Sequence, residues 1–221
     1  MVKVKFCGIR RTEDIEAVNR LKPDLAGFVF AKSKRQVTKE QAAALKELLD
    51  PGIKTVVVLV NMPVEEAAAL ANTGIADLLQ LHGDEDAAYI AKLKTLTGAK
   101  IIKAIRLRSG EPEANAKLLT EAVQADYYLF DTFLPDTYGG TGKTFSLSLL
   151  LNNLLIDKPF FLAGGLDADN VAEIIGQVQK DATLLPFFYG VDVSGGIETG
   201  VVKDPIKMEA FMKAIRGKEK T

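Results

Sequence analysis

Short apolar runs rich in Val, Ile and Phe recur along the chain, separated by longer stretches in which apolar residues return every three or four positions. The runs are Val2–Phe6, Leu25–Phe30, Lys54–Val60, Leu78–Leu81, Lys100–Ala104, Tyr127–Phe130, Phe160–Ala163 and Tyr189–Val193. Most are apolar at consecutive positions, the mark of parallel strands covered on both faces. About eight such strands, each followed by a returning helix, predict an α/β fold of the closed (β/α)8 TIM-barrel type.

The helices between them carry their own punctuation. Thr38 with Gln41 forms a capping box ahead of the Ala42, Ala43, Ala44, Leu45, Leu48, Leu49 stripe, and Pro51-Gly52 ends that helix. Pro63 at a first helical turn, followed by Glu65 and Glu66 near the positive end of the dipole, starts another through Leu70. Further helices are predicted over Glu85–Leu96, Pro112–Ala122, Val171–Gln179 and Pro205–Ile215. Ser146–Leu155, in the sixth crossover, is almost uniformly apolar and less clearly helical.

The 221 residues divide into ~28 per strand–helix unit, close to the minimum, which leaves little for an inserted domain. The whole of 1–221 is therefore expected to be one barrel domain, with Gly217–Thr221 as a frayed end. The rival, an open doubly wound sheet, usually stops at five or six strands.

Composition narrows the chemistry. With 28 Lys and Arg against 29 Asp and Glu, the net charge of -1 gives no global field for nucleic acid. No apolar run approaches a membrane span and the amino terminus lacks a signal-peptide core, so a cytoplasmic protein without membrane partners is expected. One Cys and one His exclude a disulfide and a Cys/His metal site within the chain.

Barrels place function at the carboxyl ends of their strands and often hold a phosphate after strands seven and eight. Here those loops read Ala163-Gly164-Gly165-Leu166 and Ser194-Gly195-Gly196-Ile197. Paired glycines let amides approach an anion closely, so a small phosphate ester is the expected ligand. Gly139-Gly140-Thr141-Gly142-Lys143-Thr144 imitates a nucleotide P-loop but has Thr137 where the first glycine belongs; a glycine-rich lid fits better.

Cys7 is expected at the barrel mouth, where Lys5 or Arg10 would lower its pKa and make it a thiolate base, or alternatively as a buried structural cysteine. Asp131 ends the sixth strand, as a general acid or a loop cap. His82, the single histidine, reads as a catalytic base or, since no serine stands ready to complete a triad, rather as a substrate contact or loop hydrogen bonder, and Arg35 as a fork-like contact with a carboxylate or as part of a solvated charged loop. Asp192, inside a strand, requires a partner.

Lys5-Phe6-Cys7-Gly8-Ile9-Arg10, Gly27-Phe28-Val29-Phe30 with Ser33 and Arg35, Gln80-Leu81-His82-Gly83, Asp131-Thr132, the Gly139–Phe145 loop, Ala163-Gly164-Gly165-Leu166 and Gly190-Val191-Asp192-Val193-Ser194 together resemble the phosphoribosylanthranilate isomerase family. The resemblance runs through nearly the whole chain. It implies a cofactor-free Amadori rearrangement in tryptophan biosynthesis, converting N-(5'-phosphoribosyl)anthranilate to 1-(2-carboxyphenylamino)-1-deoxyribulose 5-phosphate. It further implies Asp131 as the acid that opens the ribose ring and Cys7 as the base at the adjacent carbon. Gly164, Gly165, Ser194, Gly195 and Gly196 would hold the phosphate, Arg35 the anthranilate carboxylate, and His82 would touch substrate. The small-molecule phosphosugar is the expected partner, with the chain a monomer or homodimer.

Two departures stand out. Gly195 replaces the second serine of the family's usual Val-Ser-Ser-Gly, and no Trp follows Phe145. The competing readings are the parallel histidine-pathway isomerase, against which Cys7 argues, a catalytically silent phosphosugar-binding module, and a nucleotide-binding protein.

Overall fold

In the computed structural model, which describes residues 1–107, 111–131 and 156–217, eight parallel strands pair in sequence order and the eighth returns to the first. They are β1 (Lys3–Cys7), β2 (Leu25–Val29), β3 (Lys54–Leu59), β4 (Leu78–Leu81), β5 (Lys100–Arg106), β6 (Tyr127–Asp131), β7 (Phe160–Ala163) and β8 (Phe188–Val193). Closure is made by the register Lys3 with Gly190, Lys5 with Asp192 and Phe6 with Val193. The fold is the expected (β/α)8 barrel rather than an open sheet, because each strand has lost both edges to a neighbour.

Two apolar layers follow from strand alternation. Residues pointing inward, among them Val56, Ile102, Leu129 and Phe161, fill the barrel, while the alternate set packs beneath the helices. Inside, the rings of Tyr127, Phe161 and Tyr189 close the amino-terminal end, with Phe161 and Tyr189 centroids 5.1 Å apart. A register shift at Phe160/Phe161 against β8 lets both strands contribute rings on each side.

Seven helices lie among the described residues: α1 (Thr12–Leu21), α2 (Lys39–Leu48), α3 (Val64–Ala71), α4 (Ala87–Leu96), α5 (Pro112–Glu121), α6 (Val171–Lys180) and α7 (Pro205–Arg216). The Thr38–Gln41 capping box forms as expected. The hydropathy pattern did not mark α1. Its cap residue is Arg11, and the amides of Arg10 and Arg11 instead find the side chain of buried Asp14 three positions into the chain turn.

The pattern also placed Glu85 inside the fourth helix, whereas α4 starts two residues later under an Asp86 cap. Glu85 is buried in the preceding loop, where it accepts from the amides of Asn61 and Gly83 and from Lys103 Nζ. Beyond β8 comes a single 3-10 turn, Gly195–Ile197, and a two-stranded ribbon of β9 (Glu198–Thr199) and β10 (Val202–Lys203) that the pattern did not mark. Gly139, Gly140, Thr141, Gly142 and Ser146–Leu155 lie outside the described residues. No helix of the described chain is long and apolar enough to cross a membrane.

Because Phe161 is fully buried between two tyrosine rings, Phe161→Ala should lower stability by about 3–5 kcal/mol through the cavity it leaves. Urea unfolding is expected to show a lower midpoint with an unchanged m-value. A loss below about 1 kcal/mol would mean that the barrel interior collapses around the gap.

Candidate active site

At the carboxyl ends of the strands lies a cavity of about 790 Å3. Cys7, Arg35, His82, Asp131, Gly164, Gly165, Ser194, Gly195 and Gly196 all line it, so the described part of the predicted constellation converges on one concavity. Strands β1, β2, β4, β6, β7 and β8 each deliver at least one group, through their last residue or the loop that follows.

Cys7 is the last residue of β1, not the first of the loop, and is only 8% exposed. Its environment departs from the expected one. Arg10 turns away to the carbonyl of Val201, leaving Lys5 as the cation beside the thiol. Burial pushes the Cys7 thiol above its ordinary value, and Asp192 adds to this, against the opposing pull of Lys5 and Lys203. The lowered pKa expected from nearby cations is therefore not found, because desolvation outweighs them. Lys5 is itself fully buried and donates to Asp192 Oδ1 at 2.9 Å, supplying the partner that Asp192 required. Gly27 makes this arrangement possible: a Cβ there would lie 3.1 Å from Cys7 Sγ and 3.3 Å from Lys5 Nζ.

Across the cavity, Asp131 Oδ2 lies 3.3 Å from His82 Nε2. The buried Gln80 side-chain amide meets His82 Nδ1 at 2.8 Å, so the imidazole is held between Gln80 and Asp131 with one ring nitrogen on each. Asp131 Oδ1 has no protein partner among the described residues. Gln80 Oε1, also buried in the cavity wall, has none either. The backbone beneath His82 is fixed twice, by Arg106 Nη2 on its carbonyl at 2.9 Å and by Lys103 on that of Gly83 at 2.7 Å.

Arg35 does form a fork, but with Glu198: Nε and Nη2 reach its two oxygens at 2.7 Å each. The end-on edge, with Nη1, is left for a ligand. Gly8, at φ +83°, is required here because a Cβ would stand 2.6 Å from Arg35 Cδ. Glu198 also receives Lys203 Nζ at 2.7 Å, and although burial works against it, Arg35 and Lys203 hold its carboxyl below the ordinary range. Lys203 continues to the carbonyl of Ser194 at 2.9 Å, and Ser194 Oγ donates to the carbonyl of Cys7 at 3.0 Å. Ser194 thus lines the cavity with its hydroxyl already engaged.

The two glycine turns meet. Gly164 and Gly165 both have positive φ, 91° and 63°, and the turn is fastened by Asn170 Nδ2 on the Gly165 carbonyl at 2.8 Å. A Cβ on Gly196 would fall 1.9 Å from the carbonyl oxygen of Leu166, so only glycine lets the loop after β8 lie on the loop after β7. Gly195 differs, since a Cβ there would meet nothing nearer than Arg35 Nη2 at 3.9 Å. Gln80, Glu198 and Lys203 were not assigned site roles from the sequence, where each reads as an ordinary strand or loop residue, and Lys5 was read only as a cation near Cys7, not as the partner of Asp192.

Since the chain has a single cysteine, alkylation by iodoacetamide reports on Cys7 alone. The rate is expected to rise through a midpoint above the ordinary thiol value. Asp192→Asn, which removes a like charge while Lys5 remains, should move that midpoint to lower pH. An unchanged or higher midpoint in the variant would contradict this electrostatic account.

Comparison with known proteins agrees with the geometry. The family model described as N-(5'phosphoribosyl)anthranilate (PRA) isomerase matches residues 4–214. A protein of Thermoanaerobacter sp. (strain X514) named N-(5'-phosphoribosyl)anthranilate isomerase is 48% identical over 217 residues, covering 98% of this chain and 99% of its own. A protein of Endomicrobium trichonymphae with the same name is 40% identical over 216 residues, covering 98% and 99%. Among solved structures, phosphoribosyl anthranilate isomerase from Thermotoga maritima superposes with a TM-score of 0.82 at 33% identity, covering 98% of this chain and 100% of that one. A phosphoribosyl anthranilate isomerase in complex with reduced 1-(o-carboxyphenylamino)-1-deoxyribulose 5-phosphate gives a TM-score of 0.80 at 29% identity, covering 98% and 100%. This chain belongs to the N-(5'-phosphoribosyl)anthranilate isomerase family.

Proposed function

We propose that this chain, acting as one barrel domain in the cytoplasm, isomerises N-(5'-phosphoribosyl)anthranilate to 1-(2-carboxyphenylamino)-1-deoxyribulose 5-phosphate, a step of tryptophan biosynthesis. The observation that carries the reading is the facing of a thiol on β1 and a carboxyl on β6 across one cavity whose rim holds two interlocked glycine turns. The ester phosphate sits against the amides of Gly164, Gly165, Gly195 and Gly196, which supply donors without a side-chain charge. The anthranilate carboxylate meets the end-on edge of Arg35, whose other edge Glu198 keeps aligned.

Asp131 protonates the ribose ring oxygen, the C1–O bond breaks, and the nitrogen lone pair forms a cationic imine at C1. That cation acidifies the C2 hydrogen, and Cys7 removes it. The electron pair of the C2–H bond becomes the C1=C2 bond of an enolamine, which gains a proton at C1 and loses one from the C2 hydroxyl to give the ketose. Cys7 need not be a thiolate in the empty site. A positive imine a few ångströms away lowers the thiol pKa at the moment a base is needed, and buried Lys5 supports the thiolate from behind. His82 holds Asp131 through Oδ2 and leaves Oδ1 facing the reaction.

A coupled fluorescence assay on freshly generated phosphoribosylanthranilate tests this. The intact chain should consume the fluorescent substrate, while Cys7→Ala and Asp131→Asn should each lose orders of magnitude in kcat with little change in KM. Turnover near wild type in either variant would remove that residue from its role. Absence of turnover by the folded intact chain would favour the silent phosphosugar-binding alternative.

Gly195→Ser restores a hydroxyl where open space exists beside Arg35. It is expected to lower KM several-fold at constant kcat, as one added hydrogen bond to a charged group allows. A raised KM would show that the space is needed by the substrate itself.

A further inference from the structure

The barrel has a second concavity at its other end. The strands begin there, around a basin of about 390 Å3. Leu25, Leu78, Tyr127 and Tyr189, from the even-numbered strands, form one layer of its lining. From three odd-numbered strands, β1, β3 and β5, come Lys3, Lys54 and Lys100. Three lysines thus converge on the barrel axis.

The carboxylates around this basin are already matched. Asp24 takes Lys3 at 2.7 Å and the amide of Val4 at 2.9 Å. Asp77 takes Lys46 at 3.1 Å and the amide of Thr55 at 2.7 Å. Neighbouring Asp126 takes Lys94 at 3.2 Å. Among the described residues, Lys54 and Lys100 form no ion pair, and Lys100 Nζ stands 5.8 Å from the Tyr127 ring centroid. Lys3 and Lys54 both bear electrostatically on the phenol of Tyr189, whose ring packs 5.1 Å from that of Tyr127. The result is a concave floor of two phenols beneath two uncompensated ammonium groups.

We propose that this basin binds a small phosphorylated metabolite carrying two phosphoryl groups, with Lys54 and Lys100 as its cations and the tyrosine hydroxyls as further donors. The basin has the size of a small-metabolite pocket, and its positive charge is confined to a hollow on a chain of net charge -1, which favours a compact anion over a polymer. Occupancy neutralises converging like charges at the end of the barrel remote from Cys7, so it stabilises the fold without touching the chemistry.

Pyrophosphate is the probe. Calorimetric titration of the intact chain, with the catalytic mouth saturated by reduced 1-(o-carboxyphenylamino)-1-deoxyribulose 5-phosphate, should show one site, and affinity should fall at least about tenfold in Lys54→Ala/Lys100→Ala. The double variant should keep its fold by circular dichroism and its kcat and KM. Equal affinity in the double variant, or loss of the site when the mouth is filled, would overturn the proposal. So would a dimer in sedimentation that dissociates in the double variant while pyrophosphate gives no isotherm, since a second copy of the chain would then cover this face.

Discussion

The ion pair of Lys5 with Asp192 lies at the seam where β8 meets β1, and both barrel closure and the proposed site rest on it. Each charge is costly to bury alone, and neither finds its partner until the first and last strands come together. The pair therefore ties the final step of closure to a single register. It also sits against Cys7, so the same two charges that specify the seam set the potential at the proposed base. Gly27 on β2 leaves room for both, since a Cβ there would press on the thiol at 3.1 Å and on the ammonium at 3.3 Å.

A second chain of contacts carries this order around the mouth. Cys7 accepts from Ser194, Ser194 from Lys203, and Lys203 shares Glu198 with Arg35. The small ribbon of β9 and β10 exists in register to hold that buried Glu198–Lys203 pair, and through it the group proposed for the substrate carboxylate is anchored to the loop proposed for the phosphate. On the far wall the Glu85–Lys103 pair does the same for the loop carrying His82. Rigid fixing of a few groups by buried polar partners is what a cofactor-free acid–base reaction demands, because its rate depends on position more than on reagent strength.

The strands were legible because a parallel strand covered on both faces must be apolar at successive positions, and that signature is local. The Thr38–Gln41 cap was legible for the same reason. The first helix was not, since its box is closed by Arg11 and Asp14 rather than by the usual hydroxyl or Asx cap. Glu85 was misplaced into a helix because its real partners, Asn61 and Lys103, are 24 and 18 residues away. The glycine turns after β7 and β8 could be read as a pair, but their contact through Gly196 and Leu166 could not.

By itself the sequence determined the strand count, the barrel, and which reactive side chains end the strands, because those follow from short-range periodicity and from the motifs shared with a known family. The tertiary structure alone decided the direction in which the Cys7 thiol is pushed. Two cations near in sequence suggested a thiolate, yet Arg10 points elsewhere and burial raises the thiol, an effect that depends on everything packed around it rather than on its neighbours in the chain. It alone also turned the fork of Arg35 toward Glu198 and gathered Lys3, Lys54 and Lys100 at one end of the axis, since only closure of the barrel brings such distant residues within reach of one another.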